Sequence, residues 1–142
     1  MKTFRSLLLA ATCITLSLSS FANQELSLNK LSLDYALKTY IDAISSGKIK
    51  DFADILDSEV KFTVTHGERI TNYNGSQMLN WMKSNENVIQ NCITDYAVVE
   101  QNATQAIIKV TMKYDAFSRI NYVTMAQTNK GWKITNVSSV FV

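Results

Sequence analysis

Ala103 to Val142 reads ATQAIIKVTMKYDAFSRINYVTMAQTNKGWKITNVSSVFV. In its first part Ala106, Ile108, Val110, Met112 and Tyr114 alternate with Ile107, Lys109, Thr111 and Lys113. A period of two is what a half-buried strand gives, because successive side chains point to opposite faces of a sheet. A second strand is expected over Ile120 to Thr128, after the break Asp115-Ala116-Phe117-Ser118-Arg119. A third runs from Trp132 to Val142, after Asn129-Lys130-Gly131, whose residues tolerate the positive φ of a tight turn. The chain is organised around this meander, with Ile108, Val110, Met112, Tyr114 and Tyr122 expected on its inner side.

Upstream the pattern changes from period two to helical spacing. Ser32 is placed to cap a helix, with Asp34 in its first turn. Leu33, Ala36, Leu37, Tyr40, Ile41 and Ile44 make one apolar face, and Gly47 suits the left-handed position that ends the helix. A short second helix is expected around Ile49 to Leu56. Val60 to Thr65 and Arg69 to Tyr73 then form a hairpin across His66-Gly67-Glu68. Asn74-Gly75-Ser76 opens a third helix with Met78, Leu79, Trp81 and Met82 apolar, and Val88 to Gln101 reads as a strand. The expected order is α-α-β-β-α-β-β-β-β, an α+β class with no internal repeat and no linker.

The chain has 142 residues and no proline. Its start has the marks of an export signal. Lys2 and Arg5 precede an apolar run from Leu7 to Leu18, and Ser20-Phe21-Ala22 fits a small-x-small cleavage site. The run is too short and hydroxyl-rich to span a bilayer, which takes about 20 apolar residues. Residues 1–22 are therefore expected to be a signal peptide cleaved after Ala22. Residues 23–142 are expected to form a single domain, periplasmic or secreted. Two of the 14 Lys and Arg lie in that leader, so the remaining 12 balance the 12 Asp and Glu. A neutral domain without a basic stripe has no electrostatic footprint for nucleic acid. Cys92 is the only cysteine after Cys13, so the mature chain has no internal disulfide to form. Its place in an expected strand makes it a small buried apolar residue.

The order and punctuation resemble the nuclear-transport-factor-2-like superfamily, in which a strongly bent sheet wraps a long N-terminal helix into a cone. The resemblance rests on Tyr40-Ile41-Asp42-Ala43-Ile44-Ser45-Ser46-Gly47 at the end of the first helix and on Phe52 to Val64. It rests also on Gly75-Ser76 and on Asn129-Lys130-Gly131-Trp132-Lys133-Ile134-Thr135-Asn136-Val137. Val110 to Tyr114 followed by Tyr122-Val123-Thr124-Met125 is similar to a subgroup described as putative lumazine-binding proteins. The resemblance implies a pocket inside the cone and a homodimer through the outer sheet face. In the strand before the meander, Ile93, Ala97 and Val99 on one face and Cys92, Tyr96 and Val98 on the other are apolar, which fits cover by a second subunit.

Enzymes of the superfamily build their sites inside the cone, and ketosteroid isomerase among them uses a tyrosine on the first helix and two inward acids on strands. Tyr40 falls at the tyrosine position. The base would lie near Val64 or Thr65, and the second acid between Ile120 and Thr128, where there is no carboxylate. A general base must be present and within reach of its proton, so that chemistry lacks its groups. His66 and Asp115 are alternatives for an unfamiliar site, but both sit at expected turns. A single histidine outside any Cys/His/Asp cluster makes no metal site, and no motif calls for a cofactor. Tyr40, Trp81, Met112, Tyr114, Tyr122 and Trp132 form the candidate pocket lining. A buried tyrosine hydroxyl wants a partner, so several around one cavity suit a small, flat, polar or aromatic ligand. Three readings therefore stay open at this point: a binding domain without catalytic apparatus, a cyclase, dehydratase or isomerase type of enzyme with an unfamiliar site, and a homodimeric structural domain.

Overall fold

The computed structural model describes residues 27–142. The expected signal peptide and its cleavage site lie outside the described residues. Helix α1 spans Leu33–Ser46; the Ser32 side chain accepts from the Tyr35 N–H at 3.1 Å, and Gly47 closes the helix at φ 62°. Strands follow at β1 (Leu56–His66) and β2 (Arg69–Asn74), then helix α2 (Gly75–Ser84). The meander is β3 (Ile93–Gln101), β4 (Gln105–Lys113), β5 (Ser118–Thr128) and β6 (Gly131–Phe141). Helix α2 starts on a reciprocal cap. The Asn74 side chain accepts from the Gln77 N–H and the Gln77 side chain from the Asn74 N–H, each at 2.9 Å.

The six strands lie in the order β2-β1-β6-β5-β4-β3. Strands β1 and β6 run parallel; every other neighbouring pair is antiparallel. Register shifts interrupt β1, β3 and the β5–β6 pair. Such bulges bend the strand that carries them and increase its twist, so the sheet curls without closing. Residues paired across the ladder share a face, which gives the concave face directly. Ile108 pairs with Val123 and Val123 with Val137, which pairs with Phe62; Val110 pairs with Asn121 and Asn121 with Ser139. Ala106, Ile108, Val110, Met112, Val123, Met125, Ile134 and Val137 on this face are all buried. Helix α1 covers it with Ala36, Leu37, Tyr40 and Ala43, also buried.

Four expectations need correction. Tyr122 pairs with Lys109 and Ser138 on the convex face and is 39% exposed. The reason is parity: Val123 and Met125 are the inward residues of β5, and a strand alternates by one residue, so Tyr122 must point away from them. The second helix is only a one-turn 3-10 segment, Ala53–Ile55, because β1 begins already at Leu56. Strand β3 begins at Ile93 rather than Val88, since the Asn87 N–H is bonded to the Gly47 carbonyl and the Gln90 N–H to that of Ser45. Those bonds hold 88–92 as a loop along the end of α1, and Cys92, half-buried, belongs to it rather than to a strand.

The end of α1 is therefore both a left-handed turn and a docking point for the loop after α2. A Cβ on Gly47 would lie 2.6 Å from the Asn87 nitrogen and 2.7 Å from that of Val88. Gly47→Ala adds left-handed strain to that clash, and we expect a loss of about 2 kcal/mol or more. The check is a denaturant titration, in which the midpoint should fall with an unchanged slope.

Candidate functional site

Helix α1 fills only one end of the concave face. Along β5 the inward positions run Met125, Val123, Asn121, Arg119; along β6 they run Ile134, Val137, Ser139, Phe141. Both series turn polar at the same level, where Asn121 pairs with Ser139. There the structure places two adjoining cavities. The inner one, about 40 Å³, has Tyr40, Phe52 and Phe62 on its apolar walls and Gln90 and Arg119 as polar groups. The outer one, about 580 Å³, lies between α2 and the end of the sheet, against Tyr73, Gln77, Asn80 and Phe141. Met78, Trp81 and Arg119 are walls of both. The inner space is of the size that holds one or two waters, and the outer is in the range of small-molecule sites.

Arg119 is the charged group of both cavities, and its orientation is fixed from behind. Its Nε donates to the Asn121 Oδ1 at 3.1 Å and its Nη2 to the Ser139 Oγ at 3.4 Å. Ser139 Oγ donates in turn to Asn121 Oδ1 at 2.6 Å, and Asn121 Nδ2 points at the Met112 sulfur, 3.8 Å away. Asn121 is 0% and Ser139 2% exposed, so these supports are inside the sheet core. The guanidinium also sits over the Phe141 ring, 5.8 Å from its centroid, within cation–π range. Neither cavity has an Asp or Glu on its walls.

The six residues singled out from sequence are distributed unevenly. Tyr40 and Trp81 line the cavities. Met112 is buried behind the wall, where it receives the Asn121 amide. Tyr114 stacks on Phe117 at 4.6 Å and donates to Gln90 Oε1 at 2.9 Å, so it holds a lining residue without lining the cavities itself. Trp132 packs against the core near the β5–β6 turn, with its N–H bonded to the Leu31 carbonyl. Tyr122 is on the other face of the sheet. Of the remaining candidates, His66 is exposed at the β1–β2 turn and meets Phe141 edge-on at 5.4 Å. Asp115 is exposed in the β4–β5 turn. Val64 lines the outer cavity, and Thr65 faces the opposite way. No group of three or more His, Cys, Asp and Glu gathers in metal-binding geometry among the described residues.

Sequence reasoning missed Arg119, Asn121 and Ser139. The signal was present. Arg119, Asn121, Val123 and Met125 are spaced by two, so a polar pair shares the face of an apolar pair, and buried polar residues are the informative exceptions in a core.

A family model described as putative lumazine-binding matches residues 31–141. The chain belongs to this family. Its fold is nuclear-transport-factor-2-like. A protein of that fold from Silicibacter pomeroyi, of unknown function, superposes with a TM-score of 0.63 at 11% identity, over 86% of this chain and 98% of that one. A protein from Parabacteroides distasonis described as a putative ketosteroid isomerase gives 0.55 at 15% identity, over 76% and 86%. One from Novosphingobium aromaticivorans described as a putative aromatic ring hydroxylase gives 0.57 at 15%, over 80% and 88%. No curated protein matches the sequence. At these identities the likeness is one of fold.

Within this family member, Tyr40 presents a titratable group on an apolar wall. Burial pushes its phenol well above the ordinary tyrosine value, and the positive charge of Arg119 offsets only part of that. The neutral phenol is thus favoured in the folded state. Stability is fully present below the unfolded pKa near 10 and falls as pH rises above it, by up to about 1.4 kcal/mol per pH unit for this one group. Tyr40→Phe should flatten that alkaline decline when unfolding free energies are measured from pH 9 to 11.5. Parallel curves for the two proteins would show that the phenol ionises freely.

Proposed function

We propose that this family member binds a small, flat, polar or aromatic molecule in the outer cavity and does so as an exported domain. The observation that carries the binding reading is the 580 Å³ space walled by Tyr73, Trp81 and Phe141, with Arg119 at its floor. Aromatic walls with a few convergent polar groups are the ordinary make-up of a ligand site. Trp81 is 53% exposed although its neighbours on the core side of α2, Met78 and Met82, are partly or fully buried. A large ring left in the open at the mouth of a cavity offers a stacking platform. The family description points the same way. The leader at residues 1–22, with its basic start, apolar run and small-x-small end, supports export.

Thermal-shift and tryptophan-fluorescence titrations with lumazine and a set of flat heteroaromatics of similar size test the binding reading. At least one compound should raise the melting temperature and quench the Trp81 emission. Trp81→Ala should weaken that compound's binding by about tenfold or more while leaving unliganded stability within about 0.5 kcal/mol, as expected of an exposed position. A complete absence of shifts across the set would remove the reading.

A second reading, association through the convex face, has its own support. Ile93 is 75% exposed, and it shares that face with Ala97 and Tyr122. Strand β3 is a sheet edge open on both sides, with Tyr96 and Val98 exposed on the other face. Such an edge invites a partner. Sedimentation of the mature chain should show a dimer that Tyr122→Glu converts to monomer. A native protein that stays monomeric across a hundredfold range of concentration would exclude it.

A further inference from the structure

We propose that the ligand taken by this cavity is a small aromatic monocarboxylate, with its carboxylate on Arg119 and its ring between Trp81 and Phe141. This inference rests on the reading of the outer cavity as a ligand site and names the chemical class that site selects. Arg119 is half-buried and meets no Asp or Glu among the described residues. An uncompensated, partly desolvated cation is costly, and the cost is relieved when an anion reaches it. The guanidinium cannot shed its proton to escape that cost.

The supporting contacts decide which part of the guanidinium is left for a ligand. Nε is committed to Asn121 and Nη2 has one bond to Ser139, whereas Nη1 has no partner among the described residues. The free N–H groups therefore lie on the Nη edge. A planar carboxylate matches two parallel N–H donors of a guanidinium. One arginine with no second cation on the cavity walls suits a single negative charge rather than a phosphate or a dicarboxylate. Tyr73, Trp81 and Phe141 bring rings to the walls that Arg119 shares, and the amides of Gln77 and Asn80 line the cavity with them. A flat body attached to the carboxylate fits that lining, whereas a polyamine, itself cationic, is repelled by Arg119.

Matched acid and amide pairs isolate the charge from the shape. Indole-3-acetate against indole-3-acetamide, and 2-naphthoate against 2-naphthamide, are titrated into the full mature chain by calorimetry and by chemical-shift perturbation. The acid of at least one pair should bind about ten- to a hundredfold more tightly than its amide, the range of one charge-assisted hydrogen-bonded pair. Arg119→Met should erase the preference by bringing the acid's affinity down to about that of the amide, and Arg119→Lys should retain part of it. If the methionine variant fails to fold, the Arg119 Nε–H resonance of the native protein decides, since the acid should move it and the amide should not. Equal binding of acid and amide, or a preference that survives Arg119→Met, overturns the carboxylate assignment and leaves the cavity reading intact. If neither member of either pair binds, while a neutral heteroaromatic does, the assignment falls alone; if nothing binds at all, both readings fall.

Discussion

Helix α1 has to fill a concave sheet longer than itself. Its inward face combines two large residues, Leu37 and Tyr40, with two alanines, Ala36 and Ala43. The small pair brings the helix axis close to the sheet, and the large pair packs among Ile108, Val123, Met125, Ile134 and Val137. Burying these side chains removes a large apolar area from water, at about 25 cal/mol per Å². That packing ends where the helix ends its inward run. The part of the concave face beyond the helix's cover must be shielded by something else or remain in contact with solvent, and α2 covers it only in part. The cavities are the geometric remainder of a helix and a bent sheet that match at one end alone.

At that remainder the chain changes chemistry rather than simply stopping. Asn121 and Ser139 are as buried as any valine beside them, yet each is polar and each is satisfied. An unpaired amide at such depth would cost several kcal/mol. Here the Asn121 oxygen accepts from Arg119 and Ser139, and its nitrogen rests on the Met112 sulfur. The three residues support one another across two strands, so the position of the guanidinium is set by the sheet register and not by a loop. A site built on strands in this way is rigid before any ligand arrives, which lowers the entropic cost of binding.

The sequence disclosed the architecture well and the site incompletely, for a common physical cause. Periodicity reads element type strongly: the alternation from Ala106 to Lys113 and the helical face from Leu33 to Ile44 both lie within elements of the expected kind. It also placed Ile108, Val110 and Met112 on the correct face. It could not carry parity across a turn. Between Met112 and Val123 the chain passes through Tyr114 to Phe117, and nothing local says whether Tyr122 or Val123 resumes the inward series. Aromatic character favoured Tyr122, but the ladder partners Lys109 and Ser138 put it outside. The same choice hid Arg119 and Asn121, since both share the parity of Val123. Once β5 is set in register, all three assignments change together.

That parity also decides which groups face the hollow. A site that removes a carbon-bound proton needs a carboxylate or imidazole facing its substrate. The inward positions of β5 are instead Arg119, Asn121, Val123 and Met125, while Val64 on β1 contributes an apolar wall. Tyr40 keeps a phenol at the inner cavity, held neutral by its burial. A neutral phenol and a cationic guanidinium on neighbouring walls are both hydrogen-bond donors. With Gln90 the one amide beside them, the inner cavity carries hydrogen-bond donors on its walls. The fold supplies the hollow. Arg119, on one strand, gives that hollow a hydrogen-bond donor whose position the sheet itself fixes.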